Sequence, residues 1–308
     1  MKSTEKEISV VVPTLNNSGG AILVVKHLSA IFKARKINAE IVLIDDASNP
    51  INRTHLIAEL DKYRKSARIK LILLSRRCGQ FTSTRYGISL CEGRFILTLD
   101  DDKLIAEKSL TNLIRGIRDS NLDFIVGKNT SEKKENNLRY IGSALIQRIG
   151  KYVYKTPKDH IFSSTILFRA ESILNIAQSS QYATRAGWFY QVSTLYANQD
   201  VDLTDNVRKS NYNIVSLIKS FLSVFKLLNQ NFYVVLTKVS IPIMLFLLAF
   251  TTIYTKSISA APPGYFSLFL LLVTTITLLL LLNFQLSTLA KKQISIRENL
   301  ISYRIIEY

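Results

Sequence analysis

The chain has 308 residues, 47% of them hydrophobic, and a net charge of +17 from 40 basic and 23 acidic side chains. That length holds one sizeable α/β domain plus an appendage, and that charge asks for an anionic partner: nucleic acid, a phosphorylated substrate or an acidic membrane leaflet. Neither zinc-finger spacing nor an aromatic–basic strand pattern is present, which argues against nucleic acid, and His27, His55 and His160 are too few for a His-rich zinc site.

Ile8-Ser-Val-Val-Val-Pro13 reads as a short buried strand, and Thr14-Leu-Asn-Asn-Ser-Gly-Gly20 as turn chemistry. Ile22, Val25, Leu28, Ile31 and Phe32 then fall at helical spacing. Glu40-Ile-Val-Leu-Ile-Asp-Asp46 is a second buried strand and ends in carboxylates. A helix from about Arg53 to Arg64, a third strand from Ile69 to Leu74 and its exit loop Ser75-Arg-Arg-Cys-Gly-Gln80 follow. A further helix leads to Arg94-Phe-Ile-Leu-Thr-Leu-Asp-Asp-Asp102, which runs apolar and stops in three carboxylates.

Three adjacent aspartates repel one another and resist burial. A divalent cation is the simplest cure, and Mg²⁺ or Mn²⁺ prefers carboxylate, water and phosphate oxygens. Strand alternation puts Asp100 and Asp102 on one face and Asp101 on the other. Glu107 to Ile117 is then helical, and Asp123 to Val126 opens a fifth strand. Strands alternating with helices imply a mainly parallel sheet, which binds ligands at its carboxyl ends. Asn16, Asn17, Asp45, Asp46, Arg76 and the aspartate triplet all stand at such ends.

Residues 129–137 read as a polar loop, Leu138 to Tyr154 as a helix, Ile161 to Phe168 as a strand and Ala170 to Ala177 as a helix; 178–206 carries no clear pattern. Asn213 to Gln230 is a basic amphipathic helix suited to a membrane interface. Phe232 to Tyr254 and Gly264 to Leu286 are 23 residues each, roughly 35 Å as helix against a hydrocarbon core of ~30 Å. Lys238 in the first run can snorkel. Arg208, Lys209, Lys219 and Lys226 before the runs, and Lys291, Lys292, Arg297 and Arg304 after them, outweigh Lys256 in the link. Both flanks are therefore expected in the cytoplasm. The expected organisation is a cytosolic domain over 1–212, an interfacial helix over 213–230, a membrane hairpin over 231–286 and a cytosolic tail over 287–308. Polar Met1 to Glu7 predicts no signal peptide, and Cys78 and Cys91 are expected as free thiols.

Val12-Pro13-Thr-Leu-Asn16, Ile44-Asp45-Asp46-Ala-Ser48, Ser75-Arg76, Gly79-Gln80 and Leu99-Asp100-Asp101-Asp102 resemble, in order and spacing, the family 2 glycosyltransferases of GT-A fold. The C-terminal half, with Arg208-Lys-Ser-Asn-Tyr-Asn213, the apolar runs and the tail Ser302-Tyr-Arg-Ile-Ile-Glu-Tyr308, is similar to polyprenyl-phosphate glycosyltransferases and, more distantly, dolichol-phosphate mannose synthases. The resemblance implies an α/β, Rossmann-like GT-A domain followed by an interfacial helix and a two-helix transmembrane hairpin. It implies Pro13, Thr14, Asn16, Asp46, Ser48, Arg76, Gln80 and Asp101 around the nucleotide, and Asp100 and Asp102 as catalytic metal ligands. Arg139, Ser143, Arg208 and Lys209, with Lys158, are candidates for the acceptor phosphate; Arg76 and Arg77 are candidates to assist the leaving group. The chain departs from the family pattern at Asn17, Arg77, Leu104, Asp205 and Arg208.

The implied reaction is inverting transfer from a nucleotide sugar, UDP-linked by resemblance, to a polyprenyl phosphate at the inner (plasma) membrane, with Mg²⁺ or Mn²⁺. An anionic acceptor needs no strong general base. The alternatives are transfer to a lipid-linked oligosaccharide or polysaccharide and an inactive nucleotide-sugar-binding scaffold. Thr184-Arg-Ala-Gly-Trp188 does not match the Gln-x-x-Arg-Trp of processive synthases. A homo-oligomer stays open, and the sugar is not identified by the sequence.

Overall fold

Seven consecutive apolar or small residues leave strand β1 (Ile8–Thr14) no side to show to water, and it is buried along its whole length. Its alternate side chains serve two cores. Ile8, Val10 and Val12 pack into one, with helices α1 (Ser18–Arg35), α2 (Pro50–Asp61) and α4 (Glu107–Arg118). Val11 packs into the other, with α3 (Gln80–Ser89) and α5 (Ala170–Ala177). The result is helix, sheet, helix, as a strand buried on both faces requires.

The computed structural model describes residues 6–63, 68–130, 161, 163–177, 195–205, 264, 271–272, 274–276, 278–279, 282 and 302–308. The chain divides into two units, Met1–Tyr212 with Glu298–Tyr308, and Asn213–Arg297. The first holds β2 (Ala39–Asp45), β3 (Arg68–Leu74), β4 (Phe95–Thr98), β5 (Lys103–Ile105), β6 (Phe124–Asn129), β7 (Ile166–Arg169), β8 (Tyr196–Val201), β9 (Leu203–Asp205) and β10 (Tyr303–Glu307). Eight of these strands form one sheet in the order β10-β3-β2-β1-β4-β7-β6-β8. β3, β2, β1 and β4 pair in parallel, as do β6 and β8. β7 and β10 run against their neighbours. The chain builds outward from β1 to β3 and then crosses to β4 on the other side, so the strand order reverses at β1. That switch point opens a crevice at the carboxyl ends of β1 and β4.

Several elements differ from the sequence reading. The aspartates are not in a strand: β4 ends at Thr98, and Asp101 and Asp102 form a turn closed by the Lys103 N–H on the Asp100 carbonyl. β5 and β9 make a separate two-stranded ladder; strands this short leave no readable period. β8 emerges from the stretch without pattern. The end of the expected tail, Tyr303–Glu307, instead joins the sheet as an antiparallel edge strand on β3, which satisfies an edge otherwise left open. Ser75 N–H donates to the Ser302 carbonyl at 3.0 Å, and Asp205 pairs with Lys103.

Within Asn213–Arg297 the described residues are Gly264 and helical positions between 271 and 282, among which Leu271, Leu272, Leu278 and Leu279 are exposed. Among the described residues no helix is long and apolar enough to cross a membrane. The expected helices at 138–154 and 213–230, and most of those at 232–254 and 264–286, lie outside the described residues.

At the amino ends of the strands Glu40 is buried and fully engaged. Lys6 Nζ donates to its Oε2 at 2.7 Å and Ser9 Oγ to its Oε1 at 2.6 Å, and Lys70 lies 3.4 Å away. Burial pushes the Glu40 carboxyl up, but the bonds from Lys6, Ser9 and the Glu92 amide and the charge of Lys70 bring it below its ordinary value. A carboxylate lowered in the folded state stabilises above its unfolded pKa and loses that contribution as pH falls. Wild type is therefore expected to be more stable than Glu40→Gln at neutral pH, with the gap closing below 4.5; urea unfolding of both across pH checks this.

Candidate active site

The crevice at the switch point is a cleft of about 420 Å³. Pro13, Thr14 and Leu15 reach it from the end of β1, and Asp46 from the end of β2. Arg77 and Gly79 come from the β3 exit loop, Gln80 and Ser83 from the first turn of α3, and Asp100, Asp101 and Asp102 from the turn after β4.

Two aspartates build the rim. Asp45 accepts from Arg53 Nε at 2.6 Å and from Ser48 N–H at 3.2 Å, while Arg53 Nη2 donates to the Leu74 carbonyl at 2.6 Å. The ends of β2 and β3 are thus joined through one guanidinium. Asp46 accepts from Cys78 N–H at 2.7 Å and Gly79 N–H at 2.8 Å, with the Cys78 thiol donating at 3.1 Å. Gly79 sits at φ +89° with ψ 153°, a backbone region open essentially to glycine alone. That conformation aims its amide at Asp46 and starts α3. Asn16 and Ala47, at φ 52° and 56°, turn the other two loops. Ser48 Oγ accepts from Asn16 N–H at 2.8 Å, and Asn16 Oδ1 accepts from Asn49 N–H at 2.8 Å.

The acid turn is held to this rim. Thr14 Oγ1 donates to Asp101 Oδ2 at 2.7 Å, Asn17 Nδ2 reaches the Asp101 carbonyl at 3.5 Å, and Gln80 Nε2 donates to Asp100 Oδ1 at 2.6 Å. Burial raises the Asp101 carboxyl above its usual range; the bonds from Thr14 and Asn17 pull it down, and Asp102 and Asp100 push it up again. Positive charge at this turn relieves that repulsion. The donors are all oxygen, which suits Mg²⁺ or Mn²⁺. Among the described residues no group of three or more His, Cys, Asp or Glu is arranged to hold a metal ion. An ion here would draw further oxygens from water or a bound anion, as Mg²⁺ commonly does. The residues present fit such an ion.

Of the candidates named from sequence, Pro13, Thr14, Asp46, Gln80, Asp100, Asp101 and Asp102 meet in the cleft. Asn16 and Ser48 do not line it; their side chains tie one loop to the next. Arg76 is exposed on the β3 exit loop, outside the lining. Arg139, Ser143, Lys158, Arg208 and Lys209 lie outside the described residues. Leu15 and Ser83 line the cleft without having been singled out. Ser83 had a signal: it stands three positions after Gln80, on the same helical face.

The model of the family described as Glycosyl transferase family 2 matches residues 9–176. Among solved structures the chain is similar to the mannosyltransferase PcManGT from Pyrobaculum calidifontis in complex with GDP-Man and Mn²⁺, at 15% identity and a TM-score of 0.53, over 76% of this chain and 65% of that one. It is also similar to S. aureus TarS 1-349 in complex with UDP-GlcNAc, at 18% identity and 0.47, over 67% and 62%. A third is glucosyl-3-phosphoglycerate synthase from Mycobacterium tuberculosis in complex with Mn²⁺, UDP and phosphoglyceric acid, at 12% and 0.49, over 69% and 73%. This chain thus spans less than two-thirds of the first two. At such identities the likeness is one of fold.

Helix α1 starts against the acid turn, and its glycines separate packing from propensity. A Cβ on Gly20 would lie 2.7 Å from the Asp101 carbonyl oxygen and 2.3 Å from Asn17 Nδ2, whereas one on Gly19 meets nothing within 4 Å. Gly20→Ala is expected to destabilise by ~1–3 kcal/mol through overpacking. Gly19→Ala is expected to be neutral or to gain up to ~1 kcal/mol from helix propensity. Thermal unfolding of the two variants beside wild type reads the difference.

Proposed function

We infer the reaction, the acceptor and the membrane placement from one premise: the chain belongs to glycosyl transferase family 2. Its fold is GT-A, an α/β architecture around a mainly parallel sheet. In our reading the protein transfers a sugar, with inversion, from a UDP-linked nucleotide sugar to a polyprenyl phosphate at the cytoplasmic face of the inner (plasma) membrane, for cell-envelope glycan synthesis.

The observation that carries the donor half is the acid turn in the switch-point cleft. Asp100 and Asp102 would hold Mg²⁺ or Mn²⁺ together with oxygens of the nucleotide diphosphate. When bound, such an ion neutralises the charge that develops on the departing diphosphate. PcManGT, similar in fold, was solved with GDP-Man and Mn²⁺. Thr14 and Gln80 hold Asp101 and Asp100 in place, Asp46 holds the β3 exit loop, and Asn16 and Ser48 position the loops around the nucleotide.

The transfer breaks the bond from the anomeric carbon to the phosphate oxygen, whose electron pair stays with the diphosphate. The acceptor phosphate oxygen supplies the pair for the new bond. It is anionic before the reaction and gives up no proton. A described cleft lining without histidine is in keeping with that.

The acceptor half rests on Asn213–Arg297. Exposed Leu271, Leu272, Leu278 and Leu279 on helical backbone are costly in water and at home in hydrocarbon. We read 232–254 and 264–286 as spans, 213–230 as interfacial and the sheet unit as cytoplasmic. Arg139, Ser143, Arg208 and Lys209 are the candidates to draw in the lipid phosphate.

Membranes containing the protein, incubated with a panel of nucleotide sugars and undecaprenyl phosphate, are expected to yield a glycosylated polyprenyl phosphate by mass spectrometry. EDTA should abolish the product, and Mg²⁺ or Mn²⁺ restore it. Asp102→Asn should lower the rate at least ~10²-fold, the scale for losing one electrostatic stabiliser. Full activity in EDTA contradicts the metal assignment, and product on a lipid-linked oligosaccharide alone moves the acceptor. For topology, a cysteine placed at Ser259 is expected to react with an impermeant reagent outside intact cells, and one at Ser131 to stay unlabelled.

A further inference from the structure

A nucleotide sugar brings a diphosphate with two negative charges, and cleavage of the anomeric bond adds a third. The described cleft lining offers four carboxylates, Asp46, Asp100, Asp101 and Asp102, and one cationic side chain, Arg77. Arg77 is exposed and makes no hydrogen bond or ion pair with any described residue. It does not close on the acid turn, so it does not compete with an ion for Asp100 and Asp102.

Its backbone is pinned on both sides. Before it, Ser75 N–H donates to the Ser302 carbonyl at 3.0 Å; after it, Cys78 and Gly79 N–H donate to Asp46. A guanidinium whose donors meet no described residue thus stands on a held loop at the lip of the cleft. Its planar fork matches two phosphate oxygens at once.

We propose that Arg77 is a catalytic residue that binds the diphosphate of the nucleotide sugar and takes up part of the charge arriving on it. As the bond between the anomeric carbon and the phosphate oxygen breaks, the electron pair moves onto the diphosphate beside Arg77, while the acceptor oxygen supplies the pair for the new bond. Diphosphate binding then has a component that needs no metal. This rests on the glycosyl-transfer reading above.

The test is calorimetric titration of the full chain in detergent with UDP and, separately, GDP, once with Mn²⁺ and once in EDTA, paired with steady-state kinetics. Wild type is expected to bind one nucleotide with Mn²⁺ and to keep measurable, weaker binding in EDTA. Arg77→Ala should lose the EDTA-resistant part and weaken binding with Mn²⁺ by roughly 10- to 100-fold, the range for a hydrogen bond to a charged group. Arg77→Lys should fall between the two. In turnover, Arg77→Ala should lower kcat for the nucleotide sugar as well as raise KM, and added guanidinium ion should restore part of kcat. Equal binding and equal kcat in wild type and Arg77→Ala would make Arg77 a solvated surface residue and overturn the assignment alone. Absence of UDP and GDP binding by wild type in Mn²⁺ would overturn the nucleotide reading itself, and this assignment with it.

Discussion

Asp45 and Asp46 tie the ends of three strands to one another, and the cleft depends on those ties. Both side chains are buried, at 0% and 3% exposure. An ionised carboxylate in that position is tolerated only when its oxygens are matched. Arg53 and Ser48 match Asp45; the Cys78 and Gly79 amides match Asp46. The Asp46 N–H in turn donates to the Thr14 carbonyl at 2.9 Å, and the Thr14 hydroxyl donates to Asp101. A continuous path of hydrogen bonds therefore runs from the β3 exit loop through the ends of β2 and β1 to the acid turn. Removing one partner leaves a buried charge unmatched, at a cost of ~3–5 kcal/mol, so the path holds or fails as a unit.

The two ends of the sheet treat charge in opposite ways. At the amino ends Lys6 and Lys70 close on Glu40 and Glu92, and bonds from Lys6 and then Lys70 hold Glu92 down at about 2. That cluster is compensated within the fold and asks for nothing further. At the carboxyl ends Asp100, Asp101 and Asp102 face the cleft together, and repulsion from its neighbours adds to the burial that raises Asp101. Acidic groups are common to both ends; at the carboxyl ends three of them stand side by side in one cleft.

The central strands were legible because each is an apolar run ending in polar residues, and that boundary marks the carboxyl edge. Asp46 and the triplet stand at that edge for this reason, and Gln80, named through the resemblance, lines the same cleft from the first turn of α3. The alternation expected for Asp100 and Asp102 failed because the strand stops at Thr98 and a turn follows, so all three aspartates line one cleft. β10 was illegible from local pattern, since its reason to be a strand is the open edge of β3, far away in the chain. Asn16 and Ser48 carry side chains that serve ligand or backbone equally well, and the positive φ at Asn16 and Ala47 turned them to the backbone.

The central claim is that the acid turn completes its metal site with a nucleoside diphosphate. Electron paramagnetic resonance of Mn²⁺ tests it directly, because bound ion leaves the free-ion signal. With the full chain alone the account predicts weak uptake of Mn²⁺. On addition of UDP or GDP it predicts strong uptake, beyond that of the nucleotide without protein, and loss of the excess in the Asp100→Asn, Asp102→Asn double variant. Uptake that is indifferent to nucleotide, or unchanged in the double variant, would contradict it.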